Sequence, residues 1–233
     1  MQHVIENALR GLVDDLKAGK FSTDLKARKS QATPKEMRQL LVSCLLSSGW
    51  KYEKALAASI EFCKLFPHDG SVPTSDEVEH FLRGRTVRHR FPNSKAKQVH
   101  ISLVQFELMP KEILFTGGDL YGERVIRDLL HNKLSGFGYK QTSMFMRDIG
   151  ASKNLAIIDS HVIWYVTNVL GIKFKSLTQR QYLEIEEILQ LNSEHFDIDL
   201  NSLDVLIWVL VREFKKNERA ISCGTQYVLP LAA

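Results

Sequence analysis

Lys140 and Asp159, nineteen residues apart in a chain of 233, are the two side chains whose types could together make and break a covalent bond. Lys140 follows Ser135-Gly136-Phe137-Gly138-Tyr139 and opens a helical pattern that stops at Gly150. The positive end of a helix dipole disfavours an ammonium there, and partial burial would favour a neutral, nucleophilic amine. Asp159 follows the apolar run Leu155-Ala156-Ile157-Ile158 and precedes another apolar-periodic segment, which is the place of an N-cap. A carboxylate and an amine that each begin a helix are a nucleophile and its charged partner. The residues alone leave a blander reading open, with Lys140 solvated and Asp159 only a cap.

The elements that must position this pair follow from the pattern around them. One helix is expected over about 123–132 and a second over about 139–149, joined by Leu134-Ser135-Gly136-Phe137-Gly138. Gly136 and Gly138 permit a tight turn and let another molecule approach the backbone. Unpaired N–H groups at the start of the second helix favour an anion such as phosphate. An ordinary helix–helix turn would carry the same glycines.

Further helices are expected over 2–19, from Thr33-Pro34-Lys35-Glu36 to Ser47, over 54–66, from Thr74 or Ser75 to Leu82, and over 94–108. Others are expected over 160–170, from Thr178 with Gln181 to Leu191, and over 202–217. Thr33 with Glu36 and Thr178 with Gln181 are capping boxes. The stretch 192–201 reads as a loop, and only short pieces near Val228 suggest strand. The fold class is therefore all-α. Between His80 and Phe106 there is no acidic residue, while Arg83, Arg85, Arg88, Arg90, Lys95 and Lys97 are basic. That run exceeds the +4 net charge of the whole chain and suits a polyanion. Cys44, Cys63 and Cys223 are too few and too scattered for a disulfide framework, a zinc site or an iron–sulfur cluster. No signal peptide or membrane-spanning run is visible, so the expectation is a soluble protein of the cytoplasm or nucleoid.

Leu-Ser-Gly-Phe-Gly-Tyr-Lys (134–140) followed by Ile-Ile-Asp-Ser-His-Val (157–162) resembles the helix-hairpin-helix DNA glycosylases that carry a catalytic lysine. Within them the chain is most similar to the archaeal-type 8-oxoguanine DNA glycosylase/AP lyases. Arg90-Phe91-Pro92-Asn93-Ser94-Lys95-Ala96 resembles the Arg-Phe-x-x-x-Lys-Ala segment of that group, and 181–186 and 203–208 resemble its last two helices. The resemblance implies two helical lobes, 34–155 and 1–33 with 156–233, with the active site in a cleft between them. It implies a bifunctional glycosylase/AP lyase of base excision repair, acting as a monomer on duplex DNA that contains 8-oxoguanine. Lys140 would be the nucleophile and Asp159 its carboxylate partner.

Gly136, Gly138, His161, Arg90, Lys95 and Lys97 would contact DNA, and Trp208 would form a wall of the base pocket. Trp50, beside the small Gly49, would wedge into the duplex in place of the extruded base. No bound metal or organic cofactor is expected, although in the resembling enzymes a monovalent cation often bridges hairpin carbonyls and phosphate. The chain departs from that group in continuing to Ala233, past the Trp208 helix whose end helps those enzymes recognise oxidised guanine. Two other functions therefore remain open. One is a glycosylase of the same mechanism for another modified base; the other is a non-catalytic helix-hairpin-helix protein that only binds DNA.

Overall fold

In a computed structural model the chain is all-helical, with no strand among the described residues, which are 2–20, 31–67, 71–174 and 176–222. Cys223, the pieces near Val228 and the end of the chain lie outside them. The chain forms two compact units, one spanning Arg28–Ser152 and the other joining Met1–Ala27 to Lys153–Ala233.

The first unit holds α2 (Pro34–Ser47), α3 (Tyr52–Leu65), α4 (Ser75–Arg83), α5 (Pro92–Glu107), a 3-10 turn (Lys111–Phe115), α6 (Leu120–Lys133) and α7 (Tyr139–Asp148). Capping boxes start α2 at Thr33/Glu36 and α4 at Thr74/Glu77. Pro92 is the first residue of α5 rather than a break before it, because a helix's first turn needs no N–H from that position. Leu41, Leu45, Phe62, Leu103, Phe106 and Phe145 form the centre of the core. Phe137 of the α6–α7 turn joins them, its ring edge-on to Phe145 at 5.9 Å. Burying that one ring contributes about 1.5–3 kcal/mol, so the turn is tied to the core by its own sequence.

The second unit holds α1 (Gln2–Lys17), α8 (Ser160–Asn168), α9 (Gln179–Phe196) and α10 (Leu200–Ser222). Leu9, Val166, Leu203, Leu206, Ile207 and Leu210 are buried within it. The expected loop at 192–201 is mostly helix. α9 continues to Phe196 because Asn192 and Ser193 satisfy their side chains on the carbonyls of Ile188 and Gln190, at 2.8 Å each. Asp197, with φ of 52°, then stops the helix. The turn before α10 is short, and Asp199 accepts from the Ser202 N–H at 2.9 Å. Among the described residues no helix is long and apolar enough to cross a membrane.

Candidate active site

The turn between α6 and α7 is held on both sides by side chains. From α5, the Ser102 hydroxyl donates to the Ser135 carbonyl at 2.9 Å. From α6, His131 lies 2.7 Å from the Phe137 carbonyl through Nδ1. A carbonyl only accepts, so Nδ1 carries the proton. Within α7, the Thr142 hydroxyl donates to the Gly138 carbonyl at 2.9 Å. Gly136 takes the left-handed conformation, φ 80°, and a Cβ built there would lie 2.5 Å from Cδ of Gln98. Gly138 has φ of −86° and would meet only Gln141 Oε1 at 3.2 Å. The geometry of the turn thus demands glycine at 136 far more than at 138.

Gly136→Ala should weaken binding to a duplex with an abasic-site analogue by about tenfold or more, since it combines backbone strain with a clash. Gly138→Ala should cost much less in the same fluorescence-anisotropy titration. Equal losses would show that approach of DNA, not the internal geometry of the turn, demands both glycines.

Lys140 stands in the first turn of α7, one residue after a locked Tyr139. The Tyr139 hydroxyl donates to Asp128 at 2.8 Å, and its ring meets His131 at 4.9 Å. The guanidinium of fully buried Arg127 lies over the same ring at 4.7 Å and approaches the Ser143 hydroxyl at 3.3 Å. Gly138, the N-cap of α7, makes no side-chain cap hydrogen bond. Lys140 itself is half-buried.

Asp159 is set by the run before it. Leu155 to Ile158 is buried but has no regular secondary structure, so its backbone groups need partners. Glu186 of α9 accepts from the Ala156 N–H at 3.0 Å. The Tyr182 hydroxyl donates to the Ala156 carbonyl at 2.7 Å and accepts from the Ile158 N–H at 3.4 Å. Asp159 then caps α8, with Oδ1 accepting from the N–H groups of His161 and Val162 at 2.7 and 3.0 Å. Its Oδ2 lies 3.1 Å from His161 Nδ1. Burial pushes the Asp159 carboxyl up, but the Val162 N–H and then the ring, charge and N–H of His161 outweigh it and hold the group below its ordinary range. The His161 ring is edge-on to Trp208 at 5.9 Å, and the Arg212 guanidinium lies over the Trp208 ring at 4.7 Å. Asp159, His161 and Trp208, chosen separately in the sequence, therefore adjoin within one unit.

The basic segment divides. Arg90 and Lys97 are exposed, but Lys95 is only 5% exposed and its ammonium donates to Gln98 Oε1 at 2.9 Å. Arg88 is also exposed and has φ of 45°, rare for a residue with a side chain. His89 ties the segment to α2: its Nδ1 accepts from the Phe91 N–H at 3.0 Å, which leaves the proton on Nε2 for the Leu46 carbonyl at 3.1 Å. Burial is the main cause that lowers the pKa of His89, with the Lys95 charge adding to it against the Leu46 bond. Trp50 is half-buried, its ring edge-on to His89 at 4.8 Å. Phe91 is 45% exposed, sits under the Arg90 guanidinium at 5.1 Å, and packs beside Gly49. Sequence reasoning passes over Phe91, His89 and Gln98; an aromatic between Arg90 and Pro92 in an acid-free run is the available signal for the first.

Among the described residues no cluster of three or more His, Cys, Asp or Glu could hold a metal ion. A monovalent cation at the hairpin would use backbone carbonyls instead. The Ser135 and Phe137 oxygens each accept one side-chain hydrogen bond.

The chain resembles known proteins over most of its length. A family model described as 8-oxoguanine DNA glycosylase matches residues 20–198. An 8-oxoguanine DNA glycosylase/AP lyase of Korarchaeum cryptofilum is 31% identical over 184 residues, 77% of this chain and 82% of that protein. The crystal structure of the 8-oxoguanine DNA glycosylase of Thermotoga maritima matches with a TM-score of 0.70 and 26% identity, over 89% of this chain and 97% of that one. The Methanocaldococcus jannaschii 8-oxoguanine glycosylase/lyase, in complex with a 15mer DNA containing 8-oxoguanine, matches with a TM-score of 0.63 and 27% identity, over 89% of each chain.

Proposed function

Because the chain belongs to the 8-oxoguanine DNA glycosylase family, we propose that it excises 8-oxoguanine from duplex DNA and then cuts the strand, with Lys140 as nucleophile. The observation that carries this reading is the placement of Lys140. It is half-buried in the first turn of a helix whose preceding turn is braced by Ser102, His131 and Thr142. A protein that only bound DNA would need the turn but not the lysine.

The target base must leave the duplex before its glycosidic bond is reachable. In this reading the hairpin N–H groups around Gly136 and Gly138 hold the backbone beside the lesion, and exposed Arg90 and Lys97 hold phosphates. A monovalent cation, if the Ser135 and Phe137 carbonyls held one, would supply positive charge for a DNA phosphate. Phe91 rather than Trp50 fills the space left by the base, because Phe91 exposes its ring while Trp50 rests on His89. Trp208 offers the flipped base an aromatic wall, and His161 contacts the backbone near Asp159.

Lys140 Nζ, as a free amine, attacks the anomeric carbon. The carbon–nitrogen bond to the base breaks, and its electron pair leaves with the base, which takes up a proton. The sugar ring opens to an imine on Lys140. Loss of the proton next to the imine then expels the 3′ phosphate by β-elimination, and water releases the amine. Asp159 stabilises positive charge on the sugar as the base departs. The test is strand nicking and borohydride trapping on duplexes with 8-oxoguanine opposite each of the four bases, beside an abasic control. Trapping and nicking at 8-oxoguanine are expected. Trapping at the abasic site alone would move the search to another base, and no trapping at either would leave a DNA-binding module.

A further inference from the structure

We propose that Lys95 and Gln98 act on DNA through the hairpin, the buried ammonium fixing Gln98 and Gln98 seating the Gly136 turn. The proposal rests on the reading above in one respect only, that the hairpin grips the DNA backbone.

Three residues of α5 address the turn from one face of that helix. Lys95, Gln98 and Ser102 follow at spacings of three and four, which align side chains along a helix. The Lys95 ammonium donates to Gln98 Oε1 at 2.9 Å. Cδ and Oε1 of the same Gln98 fill the space where a Cβ on Gly136 would be, at 2.5 and 2.6 Å. One turn further, the Ser102 hydroxyl holds the Ser135 carbonyl. The Gln98 amide is thus a spacer with one end on a fixed charge and its body against the hairpin backbone.

The charge itself is what calls for a function. A lysine 5% exposed whose ammonium has a neutral amide as its hydrogen-bond partner is costly, and a methionine of similar length would fill the space without that cost. Among the described residues no carboxylate lies within ion-pair distance of Lys95. Burial lowers its pKa, and its charge also lowers that of His89, the ring that joins Leu46 to Phe91. The ammonium is thus linked to both pieces of this unit that the proposed function turns toward DNA, to the hairpin through Gln98 and to the Arg90–Phe91 turn through His89. Lys95 is then a positioning residue that acts on the hairpin through Gln98, and not a phosphate ligand.

The experiment compares Lys95→Met, Gln98→Ala, the double variant and Lys97→Ala with the wild-type protein. Three quantities are measured: the melting temperature of the free protein, its affinity across a salt series for a duplex bearing a non-cleavable abasic analogue, and the single-turnover nicking rate at saturating protein. Lys95→Met should melt no lower than wild type while binding about tenfold more weakly. Its saturated rate and its salt slope should stay unchanged, and Gln98→Ala should reproduce the binding loss. The double variant should bind no worse than either single variant, because both remove one device. Lys97→Ala, at an exposed residue, should instead lower the salt slope by about one.

A slope reduced by about one in Lys95→Met would make Lys95 a direct phosphate ligand and overturn the proposal. So would unchanged affinity in both single variants, or losses that add in the double. If Lys95→Met did not fold, Gln98→Ala would still decide, by losing affinity at an unchanged melting temperature or by failing to. Because affinity is read on an uncleavable analogue, a wrong lesion assignment would appear as absent nicking by the wild-type protein and would leave this comparison intact.

Discussion

Lys140→Gln protein should form no borohydride-linked adduct with DNA containing 8-oxoguanine or an abasic site, and its nicking rate should fall by at least roughly 10³-fold, as when other covalent nucleophiles are removed. Only an amine at that position can form an imine, and glutamine keeps most of the length without the nucleophile. The variant should bind the abasic-analogue duplex with nearly wild-type affinity. The N–H groups proposed to grip, around Gly136 and Gly138, and the bonds that brace the turn at the Ser135, Phe137 and Gly138 carbonyls do not involve the Lys140 side chain. Folding should also be preserved. Tyr139, not Lys140, carries the local packing, with its hydroxyl on Asp128 and its ring between His131 and Arg127. An adduct of undiminished yield in Lys140→Gln would assign the imine to another lysine. Loss of binding in proportion to loss of nicking would make Lys140 a phosphate contact.

The local signals are legible in the sequence because each is settled within a few residues. Thr33 with Glu36 and Thr178 with Gln181 form the capping boxes their spacing announces. Asp159 caps α8, and the glycines turn the chain before α7. Helical periodicity agrees with the structure over most of the chain, which is why the all-α class follows from it. Burial of polar groups is not legible, since it depends on what packs against a residue from distant segments. Lys95 looks like one more cation in a basic run, yet α5 turns it inward onto Gln98. Arg127 and Arg38 look like surface arginines by type, but both are buried, Arg38 against Glu107 at 3.3 Å and the Ser71 carbonyl at 3.0 Å. The helical extension through 192–196 escapes the sequence for a related reason. Asn and Ser favour loops when their side chains compete for the backbone, and here both bond back to the preceding turn of the same helix.

Asp159 is a cap in the structure and a catalytic group in the proposed reading, and its variants can separate the two. As a cap it needs an acceptor oxygen for the N–H groups of His161 and Val162; as a catalytic group it needs the negative charge. The substitution Asp159→Asn keeps the oxygen, since asparagine caps as well as aspartate, and loses the charge. It should therefore lower the single-turnover rate by roughly 10²–10³-fold, the scale of a lost transition-state charge contact, with little change in DNA affinity. Asp159→Ala removes the oxygen too and should cost about 1 kcal/mol of stability, a fall of about 2–4 °C in melting temperature for a chain of this size. The pH dependence has a definite sign. The folded carboxyl lies below its ordinary range because the Val162 N–H and His161 outweigh the effect of burial. Its charge therefore stabilises the fold above the unfolded pKa of about 3.9, and that contribution is lost as pH falls through the lower folded value. The stability difference between wild type and Asp159→Asn should accordingly shrink in acid, measured by thermal melts across a pH series. If nicking and affinity fell together in Asp159→Asn, with the melting temperature falling as far as in Asp159→Ala, Asp159 would be a structural cap and the charge on the sugar would need another partner.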